Sequence, residues 1–303
     1  MVYTVTLNPA LDYIMQVKKL RFDDINRSYF EDLHYGGKGI NVSVVLKRLG
    51  IANKAMGFIA GFTGDRLEEM LISEGIDCDF LRLEKGDTRI NVKIKSETEL
   101  DINARGPQIE PEDIENLISG LNKIQPGDYL VLAGSIPENL PDDIYERMLS
   151  ELNGRGINFV VDTTGDLLLR VLKYKPFLIK PNHHELGDLF GVKVQSDEDV
   201  VLYAKKLQEL GAKNVLVSRG SKGATLLDEN VKVTNIGIIE GKIVSTVGSG
   251  DSMVAGFIAG YSDTGDFSHA LRLGAACGNA TAFCNALAEA SDIQSAYKKL
   301  KIN

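Results

Sequence analysis

The sequence predicts an α/β fold in which a mostly parallel sheet carries helices on both faces. Short apolar runs alternate with amphipathic stretches through most of the chain, and some of the amphipathic stretches end at a glycine. Parallel strands buried on both faces have continuous apolar runs, whereas the helices that cover them repeat apolar residues at helical spacing. The alternation of these two patterns therefore favours a helix-covered parallel sheet.

Four elements in the first half of the chain follow this pattern in order. Val2–Leu7 is predicted as the first strand, and Gly39–Leu49 has the apolar spacing of a helix that Gly50 ends. Ala55–Ile59 is predicted as the next strand and Arg66–Glu74 as the next helix. Each helix would then connect two strands of one sheet.

The second half of the chain continues the alternation. Tyr129–Leu132 and Phe159–Asp162 are apolar runs of the buried-strand type. Between them Asp142–Leu152 follows a proline, which favours the start of a helix. Phe177–Lys180 and Val215–Ser218 are predicted as two more buried strands.

Two segments break the rhythm and predict a small β-sheet. Ile14–Leu33 and Thr88–Ile102 alternate polar residues and lack helical spacing. We expect residues of about 12–34 and 88–105 to form a lid that is inserted into a single α/β domain spanning 1–303.

Composition and charge exclude several classes of protein. The 303 residues include 34 basic and 42 acidic side chains, a net charge of −8, which argues against nucleic-acid binding. The three cysteines, Cys78, Cys277 and Cys284, fit no zinc spacing and are expected to be reduced thiols. We find neither a signal-peptide pattern nor an apolar run near the roughly 20 residues of a membrane span. These observations predict a cytoplasmic protein that binds neither nucleic acid nor membrane.

The segment GGKGIN, which begins at Gly36, is the first candidate binding motif. Its glycines allow close approach to a ligand and lead into a helix, whose free N–H groups favour anions. Lys38 adds a charge, and Asn41 adds a polar side chain one turn later. A plain strand-to-helix turn would have the same pattern, and the motif matches neither a P-loop nor a dinucleotide fingerprint.

The segment TVGSGDSMVAGF contains the second candidate motif. Backbone N–H groups at Gly248, Ser249 and Gly250 can form an anion-binding nest where a helix begins. Asp251 could stabilise that helix as an N-cap or first-turn carboxylate, or it could act as a general base beside the nest. The small residues that follow Asp251 would let another backbone pack closely against the helix.

The segment KPNHHE follows a predicted strand and has a structural and a functional interpretation. Asn182 and Glu185 have the spacing of a capping box, and they could also hold the water molecules around Mg²⁺. His183 and His184 are adjacent, so we expect their rings to point to different faces of a helix and not to share a metal.

Other charged and glycine-rich residues are open to two interpretations as well. Ser218–Gly223 fits a hairpin turn or a contact with a nucleotide phosphate. Asp12 follows the first strand, where ligands bind in open α/β sheets, and could hold sugar hydroxyls. Arg27, Arg89 and Arg105 lie in the lid segments and are solvated surface charges unless a pattern assigns them a role.

Taken together, these motifs resemble those of the ribokinase-like (PfkB) carbohydrate kinases. TLNPALD, GGKGIN, KPNHHE, SRGSKG and TVGSGDSMVAGF occur in the order of that family, essentially from end to end. The resemblance implies a three-layer α/β sandwich with a small β-sheet lid. The segments TRINVKI and AGSIP are similar to the branch that phosphorylates phosphosugars. One departure is Ser249, where the family most often has alanine, and it should leave the backbone nest intact.

The resemblance implies ATP-dependent phosphorylation of fructose 1-phosphate to fructose 1,6-bisphosphate. Tagatose 6-phosphate and fructose 6-phosphate are alternative acceptors. A non-catalytic sugar-binding regulatory protein is an alternative of another class, while a dinucleotide-dependent oxidoreductase would need a GxGxxG motif that the first strand lacks. ATP, Mg²⁺ and a monovalent cation are the implied cofactors and activators. We also expect a homodimer through the lid, because exposed β-edges often pair with another copy.

The resemblance also assigns roles to residues. Catalysis is assigned to Asp251 as base and to Gly248, Ser249 and Gly250 as anion hole. Sugar-phosphate binding is assigned to Asp12, Gly37, Lys38, Asn41, Ser135, Arg89, Arg27 and Arg105. ATP binding is assigned to Lys180, Asn182, Ser218, Arg219, Gly220, Ser221, Gly223, Gly248 and Gly250. Mg²⁺ is assigned, through water, to Asn182 and Glu185.

Overall fold

The computed structural model describes residues 1–302, in which thirteen strands, numbered along the chain, form two sheets. The large sheet consists of β1 (Val2–Thr6), β4 (Asn53–Ala60), β5 (Asp77–Leu83), β8 (Tyr129–Ala133), β9 (Asn158–Asp162), β10 (Leu178–Ile179), β11 (Asn214–Ser218), β12 (Ala224–Leu227) and β13 (Val233–Ile236). Their order in space is β13-β12-β11-β10-β9-β8-β1-β4-β5. The pairs from β11 to β5 are parallel, and β12 and β13 add an antiparallel edge. The α/β class and the mostly parallel sheet are thus confirmed.

The small sheet consists of the two segments that break the helical rhythm. Its strands are β2 (Ala10–Gln16), β3 (Phe30–Gly36), β6 (Arg89–Lys95) and β7 (Glu99–Ile102), in the order β3-β2-β6-β7. The sheet extends two residues beyond the predicted segment at each end of its first part, because Ala10 pairs with both Gly36 and Arg89. We call this sheet the lid.

Ten α-helices flank the large sheet within residues 1–302. They are α1 (Lys38–Arg48), α2 (Gly61–Ser73), α3 (Pro111–Gly120), α4 (Ile144–Glu151), α5 (Gly165–Val171), α6 (His183–Phe190), α7 (Asp197–Glu209), α8 (Ser249–Thr264), α9 (Phe267–Ala282) and α10 (Ala290–Lys299). Helices α3 to α7 pack on one face over one buried apolar cluster, and α1, α8, α9 and α10 pack on the other face over a second. Helix α2 packs with α1 in a third cluster, which includes Leu11 of the lid. No helix within residues 1–302 is long and apolar enough to cross a membrane.

Alternation along the central strands explains why both faces are buried. On β8, Leu130 and Leu132 enter the cluster beneath α3 to α7, whereas Tyr129 and Val131 enter the one beneath α1 and α8. Successive side chains of a strand point to opposite faces, so a strand covered on both sides must be apolar throughout. This is why the central strands have continuous apolar runs.

Close packing of α8 on α9 depends on the small residues predicted for that purpose. A Cβ added to Gly256 would lie 2.6 Å from the Cys277 Sγ atom and 2.7 Å from the Leu273 carbonyl oxygen. A Cβ added to Gly274 would lie 2.8 Å from the Met253 carbonyl oxygen. These contacts set how closely α8 approaches α9.

Several boundaries differ from the sequence expectation. Helix α2 begins at Gly61, five residues before the predicted start, because the chain turns directly out of β4. Strand β10 is limited to Leu178–Ile179, since Pro181 has no N–H group to extend the pairing. The cysteines at 78, 277 and 284 are free.

Candidate active site

A cavity of about 1430 Å³ lies between the lid and the carboxyl edge of the large sheet. The lid contributes Asp12 and Arg89, and the strand ends contribute Asp162 and Lys180. The first turns of α1, α6 and α8 complete the walls. Because small-molecule sites occupy about 300–1,000 Å³, this cavity has room for two ligands side by side.

The glycines before α1 bring that helix against β1. Gly37 has a left-handed φ of 126°, and an added Cβ would lie 2.7 Å from Thr6 Cγ2. A Cβ at Gly39 would lie 2.9 Å from the Val5 carbonyl oxygen, and the Ile40 N–H donates to Thr6 Oγ1 at 3.1 Å. The glycines were expected to let a ligand approach closely, but in the structure they let β1 approach α1 closely. This packing fixes Lys38 and Asn41 at the cavity wall.

Asp251 does not cap the helix in which it lies. The N-cap of α8 is Gly248, in the left-handed region with φ of 76°, and no side chain caps it. The Asp251 Oδ2 atom instead accepts a hydrogen bond from Asn41 Nδ2 on α1, at 2.8 Å, and Asp251 lines the cavity. The geometry thus excludes the N-cap role, whereas Asp251 remains an acidic residue of the first turn whose side chain faces the cavity.

The surroundings of Asp251 make it a stronger base than an exposed aspartate. Burial, and next the negative charge of Asp162, raise the pKa of Asp251 to about 6. The Asn41 hydrogen bond and the charges of Lys38 and Lys180 oppose this rise. A carboxyl group with a pKa near 6 is mostly ionised at pH 7 and accepts a proton more readily than an ordinary aspartate does.

Asp162, the last residue of β9, is a cavity residue that the motifs did not reveal. Its side chain is 3% exposed, with Oδ2 lying 3.6 Å from Lys38 Nζ and Oδ1 lying 3.5 Å from Lys180 Nζ. The signal that could have found it is its position at the carboxyl end of a buried strand, which is where open α/β sheets bind ligands.

Asn182 and Glu185 form the capping box that their spacing predicts at the N-terminus of α6. Asn182 Oδ1 accepts from the N–H groups of His184 and Glu185 at 2.8 and 2.9 Å, and Glu185 Oε2 accepts from the Asn182 N–H at 2.7 Å. Both side chains also line the cavity. The capping box therefore leaves a metal-binding role open, because it orients the amide and the carboxylate beside the cavity.

The expectation that the two histidines point apart is wrong. The ring centroids of His183 and His184 lie 3.9 Å apart. Adjacent helical positions are separated by about 100°, but His183 is the first residue of α6, where no preceding turn restricts its ring. Within residues 1–302 we find no group of three or more His, Cys, Asp or Glu side chains arranged for a metal ion.

The lid presents a fixed carboxylate to the cavity. Asp12 Oδ1 accepts from Asn91 Nδ2 at 2.8 Å, and Oδ2 lies 3.0 Å from Lys93 Nζ. Gly36 on the neighbouring strand makes room, since a Cβ there would lie 2.9 Å from Asp12 Oδ1. Sequence reasoning missed Lys93, although the period of two along β6 places it on the same face as Arg89.

Arg89 lines the cavity and also binds backbone carbonyl groups of the neighbouring loops. Its Nε donates to the Asn8 carbonyl oxygen at 3.1 Å, and one terminal nitrogen lies 3.4 Å from the Ala104 carbonyl oxygen. Burial lowers the pKa of its guanidinium, and the nearby Asp12 carboxylate opposes that effect. Arg89 therefore ties the lid to its flanking loops while it faces the cavity.

Three arginines assigned to ligands lie outside the cavity lining. Arg27 is exposed in the loop between β2 and β3, and Arg105 is exposed in the loop after β7, where its carbonyl accepts from Asn8. Arg219 is buried, but its guanidinium turns to Asp197 of α7 and to the Lys222 carbonyl. The remaining assigned residues line the cavity: Asp12, Gly37, Lys38, Asn41, Arg89, Ser135, Lys180, Asn182, Glu185, Ser218, Gly220, Ser221, Gly223, Gly248, Ser249, Gly250 and Asp251.

Comparison with known proteins identifies the family of the chain. Residues 7–293 match the model of the family described as pfkB family carbohydrate kinase. The chain is 45% identical to a 1-phosphofructokinase of Bacillus subtilis, with 100% of this chain and 99% of the relative covered. It is 38% identical to a D-tagatose-1-phosphate kinase of Bacillus licheniformis, with 100% and 99% covered.

Solved structures show the same fold. Phosphofructokinase-2 of Escherichia coli, in complex with substrates and products, superposes with a TM-score of 0.92 at 28% identity, and 98% of each chain is covered. A tetrameric inhibited form of that enzyme superposes with a TM-score of 0.90. With the family match and the full-length relatives, these findings show that the chain belongs to the PfkB family of carbohydrate kinases.

Proposed function

We propose that this chain transfers the γ-phosphoryl group of ATP to the 6-hydroxyl of fructose 1-phosphate, producing fructose 1,6-bisphosphate and ADP. The observation that carries the proposal is Asp251, a buried carboxylate that faces the cavity, leaves its own helix uncapped and accepts a hydrogen bond from Asn41. The full-length relative named 1-phosphofructokinase supports the choice of sugar.

Asp251 is the general base in this proposal. It accepts the proton of the attacking hydroxyl as the new oxygen–phosphorus bond forms and the bond to the ADP oxygen breaks. A positioned base of this kind contributes about 10²- to 10⁴-fold to a rate. Asn41 holds the carboxylate toward the cavity from α1.

The first turn of α8 stabilises the charge that builds on the transferred group. Of the N–H groups expected to form the anion hole, that of Ser249 is already bonded to the Thr246 carbonyl oxygen, at 3.3 Å. The N–H groups of Gly250 and of Asp251, which was not among those expected, are left for an anion. Lys180 lies beside this turn, since a Cβ on Gly250 would be 3.0 Å from its Nζ. The helix end and the ammonium group thus act on the same phosphate oxygens.

ATP would occupy the part of the cavity lined by the loop after β11. Ser218, Gly220, Ser221 and Gly223 line that part, together with exposed apolar residues such as Ile243. We exclude Arg219 from the ATP contacts, because its guanidinium is bonded within the protein. A monovalent cation that activates the enzyme remains part of the proposal, with no residue assigned to it.

Asn182 and Glu185 are proposed to hold Mg²⁺ through water. Their oxygens are the ligand type that Mg²⁺ prefers, and each already accepts a backbone hydrogen bond, which favours contact through water over direct coordination. When bound, Mg²⁺ would neutralise charge on the phosphates of ATP.

The lid would bind the sugar and its existing phosphate. Asp12, fixed by Asn91 and Lys93, can accept hydrogen bonds from sugar hydroxyls, and Arg89 supplies positive charge on the same face. Closure over the sugar would exclude water and so limit the hydrolysis of ATP.

A homodimer through the lid is proposed on the basis of its exposed apolar residues. Phe22, Ile25, Tyr29 and Phe30, in and beside β3, are 86%, 75%, 62% and 45% exposed. Apolar patches of this kind mark interaction sites. Sedimentation should give a dimer that Phe30→Asp dissociates, whereas a monomeric or tetrameric wild type would contradict this part of the proposal.

The direct test is ADP release, with ATP and a panel of phosphosugars. We expect the highest kcat/KM with fructose 1-phosphate and no release above background without a sugar. Tagatose 1-phosphate is the second candidate, favoured by the relative that bears that activity in its name, and tagatose 6-phosphate and fructose 6-phosphate complete the panel. If another sugar gives a higher kcat/KM, that sugar and not fructose 1-phosphate is the substrate. If a sugar binds without ADP release, the chain is a sugar-binding regulatory protein.

A further inference from the structure

We propose that Asp162 is a positioning residue for phosphoryl transfer, whose buried carboxylate holds the ammonium groups of Lys38 and Lys180 beside Asp251. This inference rests on the proposed kinase function and assigns a role to a residue that lies outside the recognised motifs. Asp162 would act through the two lysines and would not itself contact the reacting atoms.

The contacts of Asp162 join three parts of the site. Its Oδ2 atom lies 3.6 Å from Nζ of Lys38, which begins α1, and its Oδ1 atom lies 3.5 Å from Nζ of Lys180, which follows β10. Its own position is fixed by the sheet, because its carbonyl oxygen accepts from the Gly134 N–H at 3.0 Å. One rigid carboxylate therefore sets the position of two cations that come from distant parts of the chain.

Asp162 is the carboxylate that lies at ion-pair distance from both ammonium groups. Asp162 and Asp251 supply two negative charges, and Lys38 and Lys180 supply two positive ones. A buried charge without a partner is costly, and loss of Asp162 would leave the buried Lys180 ammonium group without its ion-pair partner. Although burial opposes it, the charges of Asp162, Asp251 and Glu185 raise the pKa of Lys38.

The two lysines differ in how they can respond to the loss of Asp162. The Lys38 side chain is 41% exposed and can turn toward solvent, whereas Lys180 is 7% exposed and is held in place. We therefore expect Lys38 to lose its position first. Since Lys38 faces the cavity between lid and sheet, its displacement would misplace the transferred group more than it would weaken binding.

A second buried aspartate, Asp228, shows how Asp162 differs from a carboxylate with a purely structural role. Asp228 is also buried, at 3% exposed, but its Oδ1 accepts from the N–H groups of Asn230 and Lys232 at 2.9 and 3.0 Å. The Asp162 Oδ2 atom is buried and makes no hydrogen bond, and it faces an ammonium group at ion-pair distance. Asp228 holds a turn, whereas Asp162 holds cavity cations.

The test compares Asp162→Asn with the matched control Asp228→Asn in the wild-type chain. We expect Asp162→Asn to lower kcat by about 10- to 100-fold with smaller changes in either KM, because a displacement near 1 Å can cost about 10²-fold. Asp228→Asn should lower the melting temperature and leave kcat near the wild-type value. Similar kinetic losses in both variants, or a normal kcat in Asp162→Asn, would overturn the inference.

The pH profile supplies a readout that a purely structural role would not move. The groups that face Asp251 are Asp162 from β9, Lys38 and Asn41 from α1, and Lys180 from the end of β10. Removing the like charge of Asp162 should move the acid limb of kcat/KM to lower pH. Asp162→Glu keeps the charge but displaces it, so it should lower kcat with an unchanged acid limb, and it replaces the asparagine variant if that one folds poorly.

A double-mutant cycle tests whether Asp162 acts through Lys38. In a Lys38→Met background, Asp162→Asn should cost much less in kcat than it does in the wild type. Fully additive losses would contradict the positioning role. If the wild type phosphorylates no sugar, the proposed function fails, and the same cycle is then measured on the dissociation constant of ATP, where additivity again overturns the inference.

Discussion

Asp251 shows how the folded chain selects between two roles that its sequence allows. In sequence it is a first-turn carboxylate of α8, a position where acidic residues are common for structural reasons. In the structure it bonds across to Asn41 and is 6% exposed, with a pKa of about 6. The tertiary contact therefore converts an ordinary helix residue into a candidate base.

Asp251→Asn should abolish the base while it preserves the shape of the site. We expect kcat to fall by about 10²- to 10⁴-fold, with a small change in KM, as steady-state ADP release will measure. Because the folded pKa of Asp251 is raised, the folded state loses stability as pH rises from about 4 through 6, and the asparagine variant lacks this loss. Its melting temperature at pH 7 should equal or exceed that of the wild type.

The pH dependence of the wild type follows from the same group. The base must be ionised to accept a proton, so kcat/KM should rise between pH 5 and pH 7 with a midpoint near 6. Circular dichroism across that range will separate titration from unfolding. A flat profile in a chain that stays folded would mean that another group accepts the proton.

At the scale of single elements, β6 of the lid concentrates the side chains that would recognise the sugar. Arg89, Asn91 and Lys93 alternate along one face, and the last two hold Asp12 by both carboxylate oxygens. Arg27 and Arg105 lie in loops that flank the lid and do not line the cavity. A period of two identifies a face, whereas loop residues follow no period, which is why the assignment of Arg27 and Arg105 from sequence was the weaker one.

Arg89→Ala should raise the KM for the phosphosugar far more than the KM for ATP. The guanidinium lies in the lid beside Asp12, on the side of the cavity that is proposed to bind the sugar. Initial rates with each substrate varied in turn will measure both constants. Arg27→Ala is the matched control with little expected effect on either, and equal shifts in both constants for Arg89→Ala would contradict its assignment.

The pairing of α8 with α9 gives a prediction about stability. Gly256→Ala should destabilise the fold by about 1–3 kcal/mol, because the new methyl group would press on Cys277 and the Leu273 carbonyl. Gly120→Ala is the control, since it is a helical glycine whose added Cβ would meet only Met56, at 3.6 Å. We expect urea denaturation to show a lower free energy of unfolding for Gly256→Ala. For Gly120→Ala the free energy of unfolding should rise slightly, because alanine has the higher helix propensity.

At the scale of the whole molecule, the cavity lies between two bodies of the structure that a ligand would join. Lid residues and sheet residues would contact the same sugar and phosphates, so binding should favour the folded chain. At 100 times the dissociation constant the gain is about 2.7 kcal/mol, which for a chain of 303 residues corresponds to a rise in melting temperature of about 4 °C. Calorimetry with fructose 1-phosphate and a non-hydrolysable ATP analogue will measure it, with an unphosphorylated hexose as control.

The net charge of −8 also belongs to this scale. Both proposed substrates are polyanions, and the positive groups that serve them are Lys38, Lys180, Arg89 and the helix N-termini around one cavity. A negative exterior should slow the approach of such substrates slightly, an effect that added salt screens.

The sequence alone predicted the fold class, the order of the main strands and helices, the two lid segments and the motifs that line the cavity. It could do so because burial on both faces dictates continuous apolar strands and because glycine motifs are local requirements of backbone geometry. It did not reveal Asp162 or Lys93, nor that Arg219 turns away from the cavity. Only the tertiary structure decided these points, because a side chain's partner, its burial and hence its pKa depend on residues that are distant in the chain and adjacent in the fold.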